Sequence, residues 1–199
     1  IHKRLGIYPF VDYTLTWEDD KPFSKCENMI TSQTELVYAC QIINLEKKAN
    51  DISYYDHLLK MCSKLEIKEV QNYLDYMLIT DYLIGNVDRH YNNFGFIRNV
   101  NTLEFTGIAP IYDSGNSMWF DTSTARIDYE KDIPSMPFKK VHSEQLQLVH
   151  SFEQIDLNRL QGIEEEYKLI LLASLDIDQS RREKLCSGLI KRIHNLVDL

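Results

Sequence analysis

The sequence contains no apolar run near the roughly 20 residues a membrane-spanning helix requires, so no span is expected among its 199 residues. It also lacks an excess of positive charge. The 22 Lys and Arg stand against 30 Asp and Glu, a net charge of −8. Binding to nucleic acid without sequence preference relies on basic side chains that neutralise phosphates, and an anionic membrane surface repels an acidic chain. Direct contact with either partner is not expected, and Lys139-Lys140 and Arg181-Arg182 read as solvated surface. The four cysteines, Cys26, Cys40, Cys62 and Cys186, form no C-x-x-C pair, and the six histidines form neither H-E-x-x-H nor any i, i+4 pair. A disulfide framework and a zinc centre are excluded on that spacing, and free thiols in a reducing, cytoplasmic compartment are expected. The seven glycines form no G-x-G-x-x-G phosphate loop, and no lysine sits in a V-A-I-K-like strand.

Signals for secondary structure are present in quantity. The opening "IHKRLG" reads as the end of a helix, with Gly6 where a helix C-terminus wants it, so the chain is expected to begin inside a larger protein. "PFVDYTLTWEDDKPFSKCENMI" has a strand texture broken by the turn signal "EDDKP". Residues 34–48 fit a helix and an extended chain equally. From Asp51, a cap candidate, Ile52, Tyr55, Leu58, Leu59 and Cys62 fall on one helical face. A second amphipathic helix fits 67–84, with Val70, Leu74, Met77, Leu78 and Ile84 as its buried stripe and Gly85 as its stop. "NFGFIRN" and "LEFTGIAPIYDSG", joined by "NVNT", predict a β-hairpin. Residues 113–140 show little periodicity and predict a long loop. Helices are expected over 143–150, 153–160, 163–175 and 179–197. The fold class is α+β, mostly helical, with a few N-terminal strands.

The chemistry concentrates in "DYLIGNVDRHYNNFGFIRN", residues 81–99. Asp88 precedes Asn93 by five positions, and the hairpin that starts at Asn93 returns its far end, near Asp113, towards its start. Two carboxylates and an amide oxygen form a hard-oxygen set that suits Mg²⁺, which keeps water and phosphate oxygens as its other ligands. An Asp that does not ligate metal can orient a hydroxyl and accept its proton. Those are the parts of phosphoryl transfer, in which D-x-x-x-x-N and a further metal-binding Asp recur. The same spacing occurs at Asp81 and Asn86, but Asp81 falls within the predicted helix. Arg89 reads as a structural partner for a nearby acid.

"LIGNVDRHYNNFGFI", "APIYDSGNSMW" and "PSMPF" together resemble the C-terminal domain of HipA-like serine/threonine kinases, from about Leu5 onward and most strongly over 81–119. The family is distantly similar to phosphoinositide kinases, which share the Asp-Arg-His order. The resemblance implies a protein-kinase-like fold, with 1–30 as the end of the N-lobe and the interlobe linker, and 31–199 as the helical C-lobe. It implies ATP and Mg²⁺ as cofactors and a protein Ser/Thr hydroxyl as acceptor. Asp88 becomes the catalytic Asp with His90 beside it in the catalytic loop, Asn93 and Asp113 become the metal ligands, and Lys25, Cys26, Glu27 and Asn28 become the nucleotide-binding linker. The missing Gly-rich loop and lysine imply an N-lobe supplied in cis or in trans, and low activity for this stretch alone. An antitoxin-type inhibitor is an implied partner. The alternative is a kinase-derived module that binds nucleotide or partners without transferring phosphate. Ser114, Ser117, Thr122, Ser123, Thr124 and Ser135 make the long loop a candidate activation segment.

Overall fold

The computed structural model describes residues 1–174 and 176–198. Among them are seven α-helices and five strands in two small antiparallel sheets, a mostly helical α+β fold. Helix α1 (His2–Leu5) ends at Gly6, whose φ of 62° is the left-handed conformation a helix stop uses. Asp19 and Asp20 take φ of 48° and 61°, the paired left-handed residues of a tight hairpin. They fold β1 (Thr14–Glu18) onto β2 (Lys21–Lys25), with Glu18 opposite Lys21.

The ambiguous stretch 34–48 resolves into both alternatives. Thr34–Tyr38 is strand β3, and Ala39–Ile43 is helix α2. Helix α3 (Tyr54–Lys64) starts two residues later than Asp51 implies, because the cap is Ser53, whose Oγ accepts the Asp56 N–H at 3.0 Å. The predicted hairpin is present as β4 (Gly95–Asn99) and β5 (Phe105–Ile108). Its turn is held by Asn99, whose Oδ1 accepts from the N–H of Asn101 (2.8 Å) and Thr102 (3.1 Å). Strand β3 extends it to a three-stranded sheet, with Tyr38 opposite Gly95 and Thr34 opposite Asn99.

Helix α4 (Val70–Ile84) departs from the predicted stripe. Residues 73–83 are all buried, polar ones included. The Asp75, Thr80 and Asp81 side chains all have partners, as burial demands. The Asp75 carboxylate accepts from the backbone N–H of His150 and Ser151, each at 3.0 Å, and Thr80 Oγ1 donates to the Tyr76 carbonyl at 2.9 Å. Gly85 stops the helix with φ 60°. Beside it, Arg192 donates to the Tyr82 carbonyl at 2.6 Å, and a Cβ at Gly85 would lie 2.7 Å from the Arg192 guanidinium.

The helices expected over 143–150 and 153–160 are shorter. Helix α5 spans His142–Leu146, and Leu157–Leu160 is a single 3₁₀ turn. Helix α6 (Ile163–Leu172) and helix α7 (Gln179–Val197) follow; residue 175, expected to be helical, lies outside the described residues. The stretch 113–140 is not an unsupported loop. It contains a 3₁₀ turn (Thr124–Arg126), and its Ile127 is buried with Leu171, Leu185 and Cys186, against Met118, Trp119, Tyr167 and Ile177. Arg181, read from sequence as solvated, instead donates to the carbonyls of Thr122 (2.6 Å) and Trp119 (2.7 Å). Lys184 binds those of Thr124 (2.9 Å) and Ile127 (3.2 Å). A basic helix face thus serves the backbone of an otherwise irregular segment.

Two compact units result. One is made of 1–7, 74–89 and the chain from Asp113 onward; the other of 8–73 and 90–112. The cysteines are free, as their spacing predicts, and burial pushes the Cys62 thiol up to about 12. Among the described residues no helix is long and apolar enough to cross a membrane.

Candidate active site

In the unit that carries Asp88, the polar segment after Gly85 is fixed by an asparagine. Asn86 Nδ2 donates to Asp81 Oδ1 (3.0 Å), and its Oδ1 accepts the Asp88 N–H (3.1 Å). Its carbonyl is bound by His142 Nε2 at 3.0 Å. Because the partner is a carbonyl, Nε2 carries the hydrogen, and His142 Nδ1 has no partner among the described residues. Burial, with the Arg192 charge second, pulls this imidazole down to about 4, so it is neutral at ordinary pH.

Arg89 is structural, as its setting in sequence predicts. It is fully buried, and it meets Asp81, itself 3 % exposed, through Nε to Oδ2 (2.8 Å) and Nη2 to Oδ1 (2.9 Å). The fork geometry matches the carboxylate with two parallel bonds. Nη2 also donates to Ser114 Oγ at 2.9 Å. Arg89 therefore ties the Asp88 segment to the segment that begins at Asp113.

That second segment is built on left-handed residues, with φ of 51° at Asp113, 53° at Met118 and 55° at Trp119. A non-glycine residue takes that region only when its surroundings hold it there. Four hydrogen bonds between segments do so. Besides Arg89 to Ser114, the Val87 N–H reaches the Asn116 carbonyl (3.0 Å), Asn116 Nδ2 donates to Asp88 Oδ2 (2.8 Å), and the Met118 N–H reaches the Ile84 carbonyl (2.9 Å). Ser117 Oγ closes the turn onto the Ser114 carbonyl at 2.7 Å. Residues 84–89 and 113–118 are laced together along their length. Asp88 is left half-buried and Asp113 exposed.

The other unit holds His90, Asn93 and residues 25–28. The Asn93 N–H donates to the His90 carbonyl at 2.8 Å, and His90 Nδ1 accepts the Asn92 N–H at 3.2 Å. The hairpin closes as predicted: the Tyr112 hydroxyl donates to the Asn92 carbonyl at 2.7 Å, and the Ala109 N–H to the Gly95 carbonyl at 3.0 Å. Lys25 ends β2, and Cys26, Glu27 and Asn28 follow it, exposed and without regular structure. Asn28 Oδ1 accepts the Ile30 N–H at 3.1 Å.

Among the described residues no three His, Cys, Asp or Glu side chains cluster to hold a metal. A donor set of Asp and Asn oxygens fits a hard divalent ion that brings its own water and phosphate ligands, and it does not fit a zinc cage. Sequence reasoning missed Asn116 and His142. Neither carries a local signal, since each contact with the 86–88 segment spans 28 residues or more of chain.

Residues 23–191 match the HipA-like C-terminal domain family. Over 100 residues the chain is 35% identical to the serine/threonine-protein kinase CtkA of Helicobacter pylori, an alignment covering 47% of this chain and 30% of that relative. That alignment thus spans less than a third of the relative's length. The crystal structure of the H. pylori proinflammatory kinase CtkA shares the fold, with a TM-score of 0.68 at 20% identity, over 100% of this chain and 81% of that one.

Proposed function

Since the chain belongs to the HipA-like C-terminal domain family, we propose that it carries the catalytic side of an ATP-dependent phosphoryl transfer to a protein Ser or Thr hydroxyl. On this reading residues 31–199 form a kinase-like C-lobe, and residues 1–30 form the end of the N-lobe and the linker. The observation that carries the reading is the lacing of 84–89 to 113–118, which holds the Asp88 segment against the segment that begins at Asp113, the two segments that would carry phosphoryl transfer.

Asp88 orients the acceptor hydroxyl and takes its proton as the oxygen bonds to the γ-phosphorus. The bond from phosphorus to the bridging oxygen breaks, and ADP leaves with that electron pair. Asp113 and Asn93 are the residues that would hold Mg²⁺, which when bound neutralises charge on the phosphate oxygens. Arg89, occupied by Asp81 and Ser114, is not available to the phosphates. His90 shapes the catalytic loop. Main-chain groups of Lys25, Cys26, Glu27 and Asn28 border the adenine. A Gly-rich loop and an ATP-binding lysine come from an N-lobe in cis or in trans, and an antitoxin-type inhibitor is a partner the family invites.

In the full-length protein, Asp88→Ala and Asp113→Ala are each expected to abolish transfer of labelled γ-phosphate from ATP, with circular dichroism unchanged. Asn93→Ala is expected to raise the Mg²⁺ concentration needed for half-maximal rate. Wild-type transfer by either Asp variant overturns the assignment and favours the non-catalytic binding module.

A further inference from the structure

We propose that Asn116 is the positioning residue for Asp88, setting the plane in which the catalytic carboxylate meets the acceptor hydroxyl. The inference rests on the kinase reading above. Asn116 holds the 87–88 segment at two points, with its carbonyl on the Val87 N–H (3.0 Å) and its Nδ2 on Asp88 Oδ2 (2.8 Å). From the other side, Asn86 Oδ1 takes the Asp88 N–H (3.1 Å). One amide therefore fixes the backbone of Asp88, and a second fixes one oxygen of its side chain, and with it the plane in which the other oxygen lies.

The chemistry of the donor matters. An amide N–H holds a carboxylate without cancelling its charge, whereas Arg or Lys would pair it as an ion. Asp81, whose oxygens are taken by Arg89 and Asn86, shows in the same unit what a charge-paired, buried Asp looks like. A proton-accepting Asp needs the first arrangement. Asn116 itself is anchored by main-chain contacts on both sides, at Val87 and, through Met118, at Ile84. Removing its side chain leaves those bonds in place.

The test uses steady-state kinetics of the full-length protein with ATP and a Ser/Thr substrate. Asn116→Ala is expected to lower kcat about 10- to 100-fold, the scale of a small misplacement of a reacting group, with KM for ATP within about twofold. Asn116→Asp keeps the shape but sets a second carboxylate against Asp88. It is expected to raise the acidic limb of the pH–rate profile by about one unit, because the two carboxylates meet; the readout a purely structural contact does not move is the kcat loss of Asn116→Ala at unchanged KM. A wild-type kcat in Asn116→Ala, or an unmoved acidic limb in Asn116→Asp, overturns the proposal while an inactive Asp88→Ala leaves the kinase reading standing. An active Asp88→Ala removes that reading and Asn116's role together.

Discussion

Two Asp-x-x-x-x-Asn pairs lie seven residues apart in this chain, at 81 and 86 and at 88 and 93. Their spacing is identical, and the structure treats their first members in opposite ways. Asp81 is buried to 3 % exposure on α4 and is neutralised by the Arg89 fork, with Asn86 bonded to the same carboxylate. Asp88 stands past the helix stop, half-buried, with a neutral amide on one oxygen. The charge of the partner and access to solvent separate a structural Asp from a candidate catalytic one, and spacing does not. On the proposed reading Asp81 works through stability and Asp88 through reactivity.

The largest expected effect breaks that contrast from the structural side. Asp81→Ala strands the fully buried Arg89 charge and is expected to cost about 3–5 kcal/mol in urea unfolding. Replacing both partners with apolar residues, Asp81→Leu with Arg89→Met, should restore most of the loss. Asp88→Ala, which removes a half-buried side chain and its bond from the neutral Asn116 amide, should cost under about 1.5 kcal/mol. Equal costs at the two sites would erase the distinction.

The next effect concerns the residue between the two aspartates. His142 holds the Asn86 carbonyl, and burial keeps its imidazole at about 4, against 6.5 for an unperturbed His. The unfolded chain therefore binds this proton first. The stabilisation is complete above about pH 6.5 and falls as pH drops towards 4, by up to about 3 kcal/mol. His2, also held at about 4 by burial, adds the same sign. His142→Gln is expected to remove roughly half of the pH slope of the unfolding midpoint between 6.5 and 4; an unchanged slope counts against the assignment.

The smallest effect sits at the stop itself. Gly85→Ala places a Cβ on a residue with φ 60°, 2.7 Å from the Arg192 guanidinium. The left-handed conformation alone costs about 1–2 kcal/mol, readable as a lower melting temperature, and the displaced Arg192 tip adds to it.

Residues whose role depends on near neighbours were legible. Gly6 and Gly85 stop helices, Asp19-Asp20 and Asn99 make turns, and the β4–β5 hairpin follows its alternation. The cap of α3 was displaced by two residues because Asp51 and Ser53 both suit a cap and only the chain's approach to the helix selects one. Helix α4 was read as a stripe because Asp75, Thr80 and Asp81 break its apolar pattern. The partners of Asp75, the N–H groups of His150 and Ser151, lie beyond any local window. The basic pair Arg181-Arg182 was misread for the same reason, since Arg181's acceptors are carbonyls some sixty residues earlier.

The order of residues by itself determined where the chain turns and stops, and which segment holds acids and amides dense enough for phosphate chemistry, because turn and cap preferences act within a few residues. Tertiary structure alone decided which aspartate is buried against Arg89 and which is presented by Asn116. The Asn116 contact joins stretches distant in sequence, and the Asp81–Arg89 pair, though near in sequence, is buried only by solvent exclusion that exists once the chain has packed.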